Sequence, residues 1–179
     1  KEVIEFFTQQ KPCLVGMEAC GGAHFWARRL TSLGHTVKLM APQFVKPYVK
    51  GNKHDVADAE AICEAVTRPT MRFVPIKTTD QQSILAVHRV RQGMIKARTA
   101  QANQIRGLLA EFGLVLPIGI ANLFLRVPTL LDEAKDTMPG VFRDLILRLL
   151  TNMKELSRHI DDLEIQIHRW HHASEASRN

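Results

Sequence analysis

The sequence predicts an α/β unit on an incomplete sheet, followed by a long helical coiled-coil hairpin. Three observations lead there. Short apolar runs alternate with helical segments as far as Lys77. Strand signals vanish from Thr78 onward, and a heptad pattern of apolar residues runs from Phe142 to Trp170. The expected divisions are therefore residues 1–77 and residues 78–179.

In the first division Cys13–Met17 reads as a buried strand ending in Glu18, and Thr36–Ala41 as a second strand closed by Pro42. Between them Ala23–Leu33 reads as a helix that stops at Gly34, a common position for a helix to end. Asp55–Thr67 is a further helix, with alanines at 57, 59, 61 and 65 and Pro69 just beyond it. Met71–Lys77 is then a short extended piece, and Pro75 makes it an edge strand. Three strands are few for such a core, so further strands are expected before Lys1 or from a partner.

In the second division Thr78–Phe112 is one long helix followed by Gly113, and an irregular stretch holding Pro117, Pro128 and Pro139 comes next. The last helix, from about Val141 to the His171-His172 pair, places Phe142, Ile146, Leu149, Met153, Leu156, Ile160, Leu163, Ile167 and Trp170 at alternating spacings of four and three. Such a seam predicts a coiled coil, or an antiparallel hairpin with the earlier helix.

The 179 residues carry a formal charge of +6, which favours a polyanionic partner such as nucleic acid over an acidic small substrate. Aromatic residues make up only 6%, too few for a single-strand binder built on stacking platforms, so contacts to phosphates are expected to dominate. Cys13, Cys20 and Cys63 lack CxxC spacing and read as reduced, buried thiols of a cytosolic protein. With no apolar run long enough to span a bilayer and no signal-peptide pattern at Lys1, a soluble, cytoplasmic protein is expected, with no membrane partner.

Glu18 stands at a strand end, and Asp55 and Asp58 project from one face at the start of a helix. Two-metal phosphoryl transfer needs such carboxylates to hold divalent ions, and nucleases of RNase H-like fold combine strand-end and helix-face acids in this way. The same residues also read structurally, with Asp55 as an N-cap, Asp58 completing a capping box and Glu18 solvating a strand end. Lys46, Lys50 and Lys53 flank the acid-bearing helix near Tyr48, as a phosphate-binding loop or an ordinary solvated one. Arg89, Arg91, Lys96, Arg98 and Arg106 load the long helix and are the better nucleic-acid contact, with a solvated face as the alternative. His168 and His172 share a helical face suited to two metal ligands, but an exposed helix end is the favoured reading. His24, His35, His54 and His88 read as polar surface or as supports behind a site.

Gly16–Trp26 (GMEACGGAHFW), Leu33–Lys50 (LGHTVKLMAPQFVKPYVK), Asn52–Ile62 (NKHDVADAEAI) and Gln104–Gly113 (QIRGLLAEFG) together resemble the amino-terminal domain of DEDD-type insertion-sequence transposases. These are relatives of the Piv DNA invertase and of bridge-RNA-guided recombinases. The resemblance covers most of the chain to about Gly119. It implies a RuvC-like, that is RNase H-like, domain whose four acids bind Mg2+ (or Mn2+), with Glu18, Asp55 and Asp58 in the second, third and fourth places. It also implies DNA as substrate and a structured guide RNA as a possible partner.

The family's first Asp lies on a strand upstream of Lys1, and its nucleophilic serine in a later domain. This chain alone is therefore expected to be inactive in strand exchange. The other expectation is a non-catalytic module that binds nucleic acid through basic helices and forms homo-oligomers through its heptad seam.

Overall fold

The computed structural model describes residues 2–49 and 54–173. The chain divides into two compact units, Lys1–Gln81 and Gln82–Asn179, each with its own core.

In the first unit, β1 (Leu14–Glu18) pairs in parallel with β2 (Thr36–Met40), in a register from Leu14 opposite Thr36 to Glu18 opposite Met40. On its other side β2 pairs antiparallel with β3 (Phe73–Val74), which makes β2 the central strand. β3 is shorter than the extended piece expected over 71–77, because Pro75 has no N–H with which to continue the ladder.

Helix α2 (Ala23–Ser32) connects the parallel strands and turns Ala23, Ala27 and Leu30 onto Val37 and Leu39. Helix α4 (Asp55–Val66) turns Ala61 and Ala65 toward Met40 and Val45 in a second cluster. Three short elements were not legible beforehand: α1 (Glu2–Gln9), α3 (Pro42–Val45) and a single 3-10 turn over Lys46–Tyr48. α1 fully buries none of its residues, but Phe7 packs on the cluster around α2.

His35 departs from the expectation of a surface or supporting role. It is 3% exposed. Its Nδ1 accepts the Cys13 N–H at 3.3 Å, and its Nε2 lies 3.0 Å from the Phe7 carbonyl, where the protonated nitrogen donates. A buried imidazole with both nitrogens engaged pins the end of α1 to the start of β1.

His24 in α2 binds the chain just before the second division. Its Nδ1 accepts the Lys77 N–H at 3.2 Å, and Arg28 donates to the Lys77 carbonyl at 2.5 Å. Burial, then the nearby charges of Lys77 and Arg28, hold the His24 imidazole below its ordinary value of 6.5. With the folded value depressed, the unfolded chain takes up this proton first. Stability is therefore full above about 6.5 and is lost as pH falls through the lowered folded value. Thermal melts at about pH 7.5 and about pH 5 should show a drop in Tm that His24→Gln makes smaller.

The second unit is helical. α5 (Thr79–Ala110) begins in a reciprocal capping box, the Thr78 hydroxyl accepting the Gln81 N–H at 3.2 Å and the Gln81 carbonyl oxygen accepting the Thr78 N–H at 3.1 Å. α6 (Ile120–Glu133) corrects the irregular stretch expected around Pro128. Leu123, Val127 and Leu131, one turn apart, bury a face broad enough to hold the helix despite the hydrogen bond that Pro128 removes.

α7 (Gly140–Ala173) contributes Ile146, Leu150 and Met153 to the same core, against Ala102, Ile105 and Leu109 of α5. Polar clasps set the direction of this pairing. Arg91 bonds Glu164 at 3.0 Å, Arg98 bonds Ser157 at 3.3 Å, and Gln101 bonds the Leu149 carbonyl at 3.0 Å. As the positions rise along α5 they fall along α7, so the two helices run antiparallel.

Candidate functional site

Glu18 is the last residue of β1 and is half-buried. Asp55 and Asp58 occupy the first turn of α4, the former exposed and the latter half-buried. Asp55 does not cap this helix, contrary to its structural reading. The N-cap is His54, whose Nδ1 accepts the Ala57 N–H at 3.2 Å, while the Asp58 N–H bonds the His54 carbonyl. Histidine is outside the usual cap set, and here it relieves both aspartates of the capping role.

Ile62 lies one turn beyond Asp58 and about two turns beyond Asp55, so all three share a face of α4. That face docks on β1. A Cβ built on Gly16 would stand 3.0 Å from Ile62 Cγ2 and 3.1 Å from Val66 Cβ, which shows how closely helix and strand approach. The same strand ends two residues later in Glu18.

Carboxylates are the hard oxygen donors that Mg2+ or Mn2+ prefers, so the chemistry of these residues fits such an ion. Among the described residues, however, no three or more His, Cys, Asp or Glu side chains come together as a ready metal-holding group. That holds also for His168 and His172, both exposed near the end of α7.

The basic candidates divide by their surroundings. Lys46 is exposed in the 3-10 turn, and Lys50 and Lys53 lie outside the described residues. On α5, Arg89 and Lys96 are exposed. Arg91 and Arg98 are engaged with α7, and Arg106 donates to the Gly119 carbonyl at 2.8 Å. All three bury their Nε atoms, so their stems serve helix packing as much as charge.

The α/β unit thus carries a strand-end glutamate and a helix-borne aspartate pair, and a helical unit follows it in the chain. A family model described as "Transposase", for the DEDD transposases of the IS110 kind, matches residues 1–113. The chain belongs to this IS110 family of DEDD transposases.

It is 51% identical over 167 residues to a "Probable family 20 transposase" of Pseudomonas aeruginosa, covering 93% of this chain and 49% of that protein. It is 43% identical over 166 residues to the transposase for insertion sequence element IS1328 of Yersinia enterocolitica, covering 93% and 49%. It is also 43% identical over 156 residues to the transposase for insertion sequence element IS1111A of Coxiella burnetii, covering 87% and 42%. The chain thus spans about half the length of the curated relatives it matches. Among the described residues no helix is long and apolar enough to cross a membrane.

Proposed function

We propose that this chain is the metal-dependent, RuvC-like part of a DNA transposase that acts in the cytoplasm. In this reading residues 1–77 form the RNase H-like portion and residues 78–179 a coiled-coil portion. The observation that supports it is the close approach of α4 to β1 at Gly16 and Ile62, with Asp58 and Asp55 about one and two turns before Ile62 on the helix and Glu18 two residues after Gly16 on the strand. Glu18, Asp55 and Asp58 would hold Mg2+ or Mn2+, and such an ion activates an attacking oxygen and stabilises a leaving one.

Lys46, Lys50, Lys53, Arg89 and Lys96 would neutralise phosphates of DNA, or of a structured guide RNA. Arg91, Arg98 and Arg106 would add positive potential from within the helical unit. Filter binding of duplex DNA and of folded RNA across a salt series tests the electrostatic part. Affinity should fall steeply as salt rises, and Arg89→Ala with Lys96→Ala should lower the slope of log affinity against log salt by about two. A flat salt dependence would remove the nucleic-acid role.

A second reading, a module that assembles copies of itself, is favoured by one observation. Leu156, Leu163, Ile167 and Trp170 on the heptad seam stay half-buried, and Leu145, Leu147 and Ile165 on the same helix are exposed. In light scattering, Leu156→Asp should reduce the molar mass of an oligomer held through that seam. An unchanged mass would confine the seam to the internal helix pair.

A further inference from the structure

We propose that the cleft formed by α3, the 3-10 turn and the segment leading into β3 is a pocket for one unstacked nucleobase of a nucleic-acid strand. The inference rests on the reading that the protein binds nucleic acid, and is independent of the acidic residues and their metal.

The cleft measures about 270 Å³ and is lined by Phe44, Pro47, Tyr48, Thr70, Met71 and Arg72. That is just below the roughly 300–1,000 Å³ of sites that enclose drug-sized ligands, so one planar ring system fits and a longer strand does not. Phe44 is 39% exposed, a large aromatic face left to solvent in a chain with few aromatics.

Tyr48 is braced from one side, with the Arg68 guanidinium 5.7 Å from its ring centroid. Arg68 is itself held by an ion pair with Glu64 one turn back. Two rings, a polarisable thioether and a threonine hydroxyl are the means by which proteins stack an unpaired base and bond its edge.

Charge points to the same ligand. Among the described residues that line the cleft none is acidic, whereas Arg72 lines it and the exposed Lys46 precedes Pro47. A base entering the cleft brings its own phosphates, for which Arg72 in the lining and Lys46, next in sequence to Pro47, supply positive charge. An extended stacking platform needs many aromatics, which this sequence lacks; a pocket for one base needs only the two gathered here. DNA and RNA present the same planar base and anionic link, so either strand satisfies the chemistry.

Photo-crosslinking tests the pocket. The protein is irradiated with single-stranded RNA, single-stranded DNA or a matched duplex, each carrying 5-iodouracil, and the crosslinked residues are mapped by mass spectrometry. Crosslinks are expected at Tyr48 or Phe44 with single strands and not with the duplex, and the stronger of the two single-strand arms identifies the source.

Phe44→Ala should weaken single-strand binding about ten-fold, while Tyr48→Phe, which keeps the ring packed on the core, should leave it unchanged. Crosslinks confined to other residues with binding intact, or equal crosslinking to the duplex, would overturn the pocket and leave nucleic-acid binding standing. Absence of binding to every probe would overturn the broader reading and the pocket with it.

Discussion

Transposition by a transposase carrying this chain should fall at least about a hundred-fold when Asp55 and Asp58 are both changed to alanine, with the α/β unit still folded. The size follows from coordination chemistry: loss of groups that merely orient metal ligands already costs about 10–100-fold, and loss of two donors should exceed that. The expectation of an intact fold comes from the structure. His54, not Asp55, caps α4, and the residues that α4 buries are Ala57, Ala61 and Ala65. What the double substitution removes from stability is the attraction of two carboxylates to a helix N-terminus, about 0.3–1 kcal/mol each. Circular dichroism with an excision assay on the same preparations checks both halves. A folded variant with undiminished excision would remove these residues from the chemistry.

The second large effect concerns the joint between the site's two supports. Gly16→Val should destabilise the protein by about 1–3 kcal/mol, because a Cβ there already meets Ile62 and Val66 at 3.0–3.2 Å and valine adds two methyl groups beyond it. Helix α4 must move off β1 or the strand must bend, because the Cβ meets side chains of the helix at its contact with the strand. Urea unfolding gives the stability change. Ile62→Ala combined with Gly16→Val should recover part of the loss, since the two side chains compete for one space. Strict additivity of the two substitutions would mean that the close approach does not limit the fold.

Elements defined by their own periodicity were legible in the sequence. β1, α2, β2 and α4 start or stop within a residue or so of where alternation, Gly34 and Pro42 put them, and the long helices run as the heptad and Gly113 suggest. Much of what escaped depends on partners distant along the chain. α6 was hidden by Pro128, because a proline argues against a helix unless the packing of Leu123, Val127 and Leu131 is known.

The arginines of α5 read as a basic load for contacting nucleic acid, yet Arg91 and Arg98 meet partners 73 and 59 residues away on α7. The cap at His54 and the burial of His35 arise from imidazole hydrogen bonds that no composition rule anticipates. At the site, residue types and the Asp55–Asp58 spacing were readable, whereas the docking of their helix on the glutamate strand required Gly16 and Ile62 to be seen side by side.

Calorimetric titration of the chain with Mn2+ goes most directly to whether these carboxylates bind a divalent ion. The wild-type protein should give a saturable heat that Asp55→Ala with Asp58→Ala abolishes and Glu18→Gln diminishes. Superimposable titrations for all three proteins would contradict the assignment.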